Sequence, residues 1–364
     1  MKKNIIALAV ASAIAAPVAM ADAPTIYGQV NKSIDSVDRK DSAGNSVDGD
    51  GVEVASRSSR LGVKGSEDLG NGLTAVYKLE FGVSVGDGGA ISNRNQYVGL
   101  AGGFGTILAG RHDTPTKISQ PTDFFNWGYG DLKQSSVTAS SSLKGGEIRI
   151  DNVIAYISPA FNGVTLAAAV IPSEGDKRKE GTTTAPVKDS GLADTYSAAL
   201  MYGSKKDGLY LAAAMDSYGQ QDWTVHDGST TANISATYTR LSAQYTTGDL
   251  TVNALLGNTN IDDDDLGGNN VDSETMVFGA AYTMGKLTPK FKYSVSKYKD
   301  ETEAEAALNI ATKLDKKTQV AVGLDYALGK KTKAYVEYVD TKNATAGTDD
   351  TDAKALSVGL LHKF

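Results

Sequence analysis

Few residues in this 364-residue chain have the types and spacing that catalysis needs. Gly82-Val83-Ser84-Val85-Gly86 has the spacing of a nucleophile elbow, but that motif needs a strand turning into a helix, and Gly86-Asp87-Gly88-Gly89 reads as a loop. His112, His226 and His362 lie far apart with no metal-ligand spacing, and Asp262 to Asp265 lack the spaced ligands and turn glycine of a calcium loop. The acidic run reads as a solvated loop, with weak divalent bridging as the alternative. The informative cluster is the long connection from His112 to Ile148, which carries Phe124, Phe125, Trp127 and Tyr129 interleaved with Gly128 and Gly130. Ordering such a segment costs about 1 to 2 kcal/mol per residue in backbone entropy, so four clustered aromatics should fold against something. An exposed adhesive patch is the alternative.

The elements that would position this connection are strands. The ending Leu356-Ser357-Val358-Gly359-Leu360-Leu361-His362-Lys363-Phe364 puts Leu356, Val358, Leu360, His362 and Phe364 on one side of an extended strand. An apolar row that ends in a carboxy-terminal aromatic suits the closing strand of a barrel in lipid. At the other end, Lys2 and Lys3, the apolar stretch Ile5 to Ala16 and the small-x-small site Ala19-Met20-Ala21 read as a secretory signal over residues 1–21, leaving a mature domain of residues 22–364. That apolar stretch is too short for a helical span of about twenty residues. Two of the 36 basic residues go with the leader, leaving 34 against 43 acidic, a formal net charge of −9 that argues against nucleic acid as a partner. Cysteine is absent, so a disulfide framework is excluded.

A repeated design runs along the mature chain: an alternating strand, a tyrosine near its end, a tight turn and another alternating strand. Tyr202, Tyr245, Tyr282 and Tyr326 each precede such a turn. A propeller would also repeat in this way, but no Gly-His and Trp-Asp blade signature recurs. Short turns alternate with long polar segments, Asp35 to Val54, Ser173 to Gly191, Ser217 to Thr231, Ile261 to Ser273, Lys299 to Lys316 and Thr341 to Asp352. That asymmetry belongs to outer-membrane barrels, with the tyrosines as an interfacial girdle. In Thr318 to Leu328, Val320, Val322, Leu324, Tyr326 and Leu328 would face lipid while Gln319, Ala321, Gly323 and Asp325 face the lumen; Leu73 to Phe81 splits likewise, with Val76, Lys78 and Glu80 opposite Tyr77, Leu79 and Phe81. A Lys or Arg facing lipid at the midplane costs about 2 to 4 kcal/mol, so the alternation demands a wet interior. About sixteen strands fit the length, and an all-β transmembrane antiparallel barrel of that size leaves an aqueous channel.

Ser59-Arg60-Leu61-Gly62-Val63-Lys64-Gly65, Asn93-Arg94-Asn95-Gln96-Tyr97-Val98-Gly99-Leu100, Phe104-Gly105-Thr106-Ile107-Leu108-Ala109-Gly110-Arg111 and the terminal Val358 to Phe364 resemble the general diffusion porins of Gram-negative outer membranes over the whole mature chain. The resemblance implies a sixteen-stranded barrel, a homotrimer in outer-membrane lipid and lipopolysaccharide, and a third loop folded into the pore. It further implies an eyelet in which Arg60, Arg94 and Arg149, with Lys64 alongside, face acidic groups on that loop, for which Asp123 and Asp131 are the candidates. Three guanidiniums about 5 Å apart repel by roughly 3 kcal/mol per pair at an effective dielectric near 20, so carboxylates or passing anions must offset them. Lys117, Lys133 and Lys144 share the loop with its acids, which brings its net charge close to zero. Strict alternation places Arg94 on the face of Val98 and Leu100; either a bulge intervenes or the inward loop covers the wall there, and we expect the second.

The function expected is a passive, water-filled channel for small hydrophilic solutes and ions, weakly anion-selective, with no cofactor and no metal. A solute-specific porin and a surface adhesin or receptor barrel with a plugged lumen are the alternatives. Phe364 is expected to act as the assembly signal.

Overall fold

The computed structural model describes residues 23–41, 44–46, 49–86, 88, 91–136, 144–172, 192–193, 195–224, 231–262, 271–299, 316–342 and 352–364. The leader, His226 and Asp263 to Asp265 lie outside the described residues. Strands dominate: β1 Thr25–Lys40, β2 Gly51–Ser56, β3 Arg60–Gly70, β4 Leu73–Val83, β5 Ile91–Gly102, β6 Gly105–Asp113, β7 Arg149–Ile157, β8 Val164–Ile171, β9 Thr195–Gly203, β10 Gly208–Thr224, β11 Thr231–Thr247, β12 Leu250–Asp262, β13 Val271–Tyr282, β14 Leu287–Tyr298, β15 Lys317–Ala327, β16 Thr332–Lys342 and β17 Asp352–Lys363. Each pairs antiparallel with its chain neighbour, except that β1 pairs with both β2, from Lys32↔Ser56, and β3, from Gln29↔Arg60. Segments β2 and β3 therefore share one place in the wall, and β17 closes the circuit onto β1. The result is a closed antiparallel barrel of sixteen positions, in which backbone polar groups are satisfied between neighbouring strands.

Alternation decides which face each side chain takes. On β15, Val320, Val322, Leu324 and Tyr326 are exposed on the outside while Gln319 and Ala321 are buried on the inside. The turn tyrosines Tyr202, Tyr245, Tyr282 and Tyr326 are all exposed on the outer wall beside short turns, where a ring can sit among headgroups. Those turns lie at one end of the barrel. Asn71 and Gly72, for example, both have positive φ (52° and 76°), the mirror-type turn whose twist matches a two-residue hairpin. At the other end several connections are shorter than their polarity suggests. Strand β1 runs on to Lys40 and β2 resumes at Gly51, and β10 and β11 reach Thr224 and Thr231. Asp35, read from sequence as the start of a loop, is fully buried and paired across to Ser357. A wet lumen accepts a polar residue at every second position, so polarity alone does not separate a strand's inner face from a loop.

Phe364 completes closure. Its N–H donates to the Gly28 carbonyl at 3.2 Å and its own carbonyl accepts the Gly28 N–H at 3.4 Å. A Cβ on Gly28 would lie 2.5 Å from the Phe364 ring and 2.5 Å from the Arg60 carbonyl, so only glycine lets the terminal ring lie across β1. Gly28→Val should cost about 1 to 3 kcal/mol through overpacking, and deleting Phe364 removes both hydrogen bonds. Either change should sharply reduce the heat-modifiable band of the folded barrel on unboiled gels; an unchanged band would contradict this role.

Candidate functional site: an arginine face and the segment opposite

Three breaks in register deliver the three arginines. Residues 57–59 interrupt the wall between β2 and β3, with Ser58 at φ +53°, and Arg60 follows directly. In β5 the pairing passes from Phe81↔Asn93 to Leu79↔Gln96, so Arg94 and Asn95 together oppose Glu80. In β7 it passes from His112↔Ile150 to Gly110↔Val153, with Asn152 at φ +57°, just after Arg149. A bulge adds a residue to one strand and re-aims its side chains. The expectation that an inward loop accounts for Arg94 is thus corrected: a bulge turns it from the lipid-side row to the inner face.

The arginines gather around two carboxylates. Glu80, buried on β4, receives Arg94 Nε at 2.6 Å, Lys78 Nζ at 3.4 Å and Arg60 Nε at 3.8 Å, and accepts the Tyr27 hydroxyl at 2.8 Å. Asp113 receives Arg149 Nη2 at 2.8 Å and Lys117 Nζ at 3.1 Å, and accepts the Asn95 amide at 3.0 Å; Arg149 Nε in turn donates to Asn95. Arg60 lies within electrostatic range of both Arg94 and Arg149. Arg57, which the sequence reading missed, pairs with Asp35 and with Glu53 at 3.3 Å. Lys64 sits apart, exposed, with its ammonium 5.4 Å from the Tyr27 ring. Lys78 and Glu80 were readable as inner-face residues of β4, but nothing in the sequence marked Glu80 as the shared partner of the arginines.

Between β6 and β7, segment 114–148 is fastened at many points. Thr114 caps a helical turn over Pro115–Ile118. Arg240 on β11 donates to Glu147 at 2.6 Å and to the carbonyls of Gly145 at 2.8 Å and Thr116 at 3.2 Å. Tyr210 donates to the Ser119 carbonyl at 2.9 Å, and the Thr122 N–H donates to Gln244 at 2.7 Å. Farther along, Lys290 on β14 donates to the Phe124 carbonyl at 3.0 Å, Lys292 to Ser135 Oγ at 2.8 Å, and Gln319 on β15 to the Tyr129 carbonyl at 3.1 Å. Phe125 is fully buried against Ala321 and Val339, with Phe124 and Tyr129 packed on the same cluster. Gly130 permits this approach, since a Cβ there would meet the Phe125 Cβ at 2.8 Å.

The two predicted loop acids do not face the arginines. Asp123 accepts the N–H groups of Phe125 at 3.0 Å and Leu132 at 2.9 Å, while Asp131 accepts those of Trp127 at 2.7 Å and Lys133 at 3.0 Å. They fold the segment's own turns. Burial, with Asp131 close by, pushes the Asp123 carboxyl up to about 7. Aromatic rings meet the basic wall instead: the Arg60 guanidinium lies 4.7 Å from the Trp127 ring centre, and that of Arg57 4.6 Å from Tyr129. Two of the three histidines have structural partners. His112 is buried edge-on against Tyr97, and His362 shares a 2.8 Å hydrogen bond with Thr332.

Comparison with known proteins agrees with this architecture. The family model for Gram-negative porins matches residues 7–346. Major outer membrane protein P.IB of Neisseria gonorrhoeae is 30% identical, covering 100% of both chains. Among solved structures, the anion-selective porin from Comamonas acidovorans superposes with a TM-score of 0.70 at 23% identity, over 94% of this chain and 99% of that one. OmpT of Vibrio cholerae, folded in vitro and in its trimer form, superposes with a TM-score of 0.69 at 17% identity, over 94% of this chain and 100% of that one. The chain belongs to the Gram-negative porin family, and it is a passive channel of the outer membrane rather than an enzyme.

Proposed function

We propose that segment 114–148 folds into the lumen and narrows the channel to an eyelet, bordered on one side by Arg60, Arg94 and Arg149 and on the other by the segment's aromatic residues. Its hydrogen bonds to Arg240, Lys290 and Gln319, all buried on inner faces of the wall, support this placement. The eyelet passes small hydrophilic solutes and ions, with a weak preference for anions.

The observation that carries the selectivity is the imbalance at Glu80, one carboxylate among Arg60, Lys78 and Arg94, with Asp123 and Asp131 committed to backbone N–H groups. Charges on distant surfaces are screened over about 8 Å at physiological salt, whereas eyelet charges act on a passing ion at contact distance. The local field therefore outweighs the acidic total. Residues 1–21 act as the export leader and residues 22–364 as the mature domain. The mature chain assembles as a homotrimer in outer-membrane lipid and lipopolysaccharide, a reading supported by the trimer form of Vibrio cholerae OmpT.

Planar bilayer recording tests the proposal. Conductance should rise in proportion to salt, and the zero-current potential in a KCl gradient should carry the sign of chloride preference. A barrel that inserts but never conducts would favour a plugged receptor instead.

A further inference from the structure

We infer that the eyelet contains a binding site for flat aromatic anions, with the Arg60 guanidinium holding a carboxylate and the Trp127 indole stacking on the ring. The inference rests on the reading of the constriction given above and names the class of solute it retains.

Trp127 is the first observation. Its φ of +77° lies in the left-handed region, which a bulky residue rarely occupies and which strains the backbone. Glycine would hold this backbone without strain, and Gly128 and Gly130 stand beside it. The conformation is instead enforced by buried Asp131, which accepts the Trp127 N–H at 2.7 Å, and by the Gly128 N–H donating to the Phe125 carbonyl at 3.1 Å. Among the described residues, Phe124, Phe125 and Tyr129 share an apolar cluster with Ala321 and Val339, and Trp127 is not part of it. The half-buried ring meets the Arg60 guanidinium.

Arg60 is the second observation. Its closest acidic partner is Glu80 at 3.8 Å, beyond hydrogen-bonding distance, while Arg94 and Lys78 crowd the same carboxylate more closely. Among the described residues its side chain donates no hydrogen bond to the protein, although it is only 19% exposed. A guanidinium offers a planar fork that matches a carboxylate through two parallel hydrogen bonds. The unused fork lies 4.7 Å from the indole ring centre and 3.8 Å from a carboxylate that three cations share. A chloride uses the charge alone, an aliphatic carboxylate uses charge and fork, and an aromatic carboxylate uses all three.

Benzoate and cyclohexanecarboxylate carry the same charge on rings of similar size, and they separate stacking from the rest. Added as sodium salts at neutral pH to wild-type channels in bilayers, benzoate should reduce the KCl current saturably. Cyclohexanecarboxylate should need about threefold to tenfold more for half block, the worth of an aromatic pair. Trp127→Leu should bring the two half-blocking concentrations together, and Arg60→Lys should raise both by removing the fork. Trp127→Phe retains a smaller ring and should keep part of the difference. Equal block of the wild type by the two probes would overturn the inference while leaving the channel reading intact, and needs no variant to fold. A wild-type channel that conducts but prefers potassium would show instead that the constriction itself has been misread.

Discussion

Arg240→Met should produce channels whose open current is noisy and interrupted, and whose barrels lose their heat-modifiable form at a lower temperature than the wild type. Arg240 is only 2% exposed, and through Glu147, Gly145 and Thr116 it ties both roots of segment 114–148 to β11. Removing one member of such a buried pair costs about 3–5 kcal/mol, because the other charge is left without compensation. The remaining carboxyl is already strained: burial holds Glu147 above the usual carboxylate range even with Arg240 beside it. Without the guanidinium, the segment must release Glu147 to water or bind a proton there, and the root at Gly145 also loses its donor. The double change Arg240→Met with Glu147→Leu should recover most of the thermal loss, since an apolar pair of similar volume replaces a buried ion pair at little cost. Quiet traces and an unchanged unfolding temperature in Arg240→Met would show that this contact does not hold the segment.

Sequence alone was sufficient for the parts of the molecule governed by period. The inward and outward rows of β15, the turn tyrosines and the placement of Phe364 on the outward row beside β1 all follow from a barrel that must show carbon to lipid and polar groups to water. Arg94 was misjudged because periodicity assumes an unbroken ladder. The bulge at Arg94 and Asn95 is a property of pairing with β4, visible only when Phe81 and Leu79 are set against Asn93 and Gln96. Asp35 was misjudged because a lumenal aspartate and a loop aspartate look alike in sequence. The cluster of Phe124, Phe125, Trp127 and Tyr129 was recognised as needing a surface, but not that Phe125 would be buried on the β15 side while Trp127 met Arg60. Asp123 and Asp131 were matched to the arginines by charge. Their partners turned out to be N–H groups two to nine residues along the same segment, a choice made by local turns that composition does not reveal.

The second large effect concerns selectivity. In the wild type, Glu80 and Asp113 are together met by Arg60, Arg94, Arg149, Lys78 and Lys117, so the face carries more cations than carboxylates. Changing Arg60, Arg94 and Arg149 to Ala leaves Lys78 with Glu80 and Lys117 with Asp113, two neutral pairs. The local excess set against the chain's formal net charge of −7 is then gone, and the acidic remainder governs ion entry. Three long side chains also leave the proposed eyelet, so larger neutral sugars should enter liposomes containing the variant.

That charge imbalance is the central claim, and one recording addresses it: the zero-current potential of the wild type and of the Arg60→Ala, Arg94→Ala, Arg149→Ala variant in the same KCl gradient. The wild type should show chloride preference and the variant potassium preference, a change of sign at equal salt. An identical potential in both, from variant barrels that remain heat-modifiable and conducting, would contradict the assignment of these arginines to the filter.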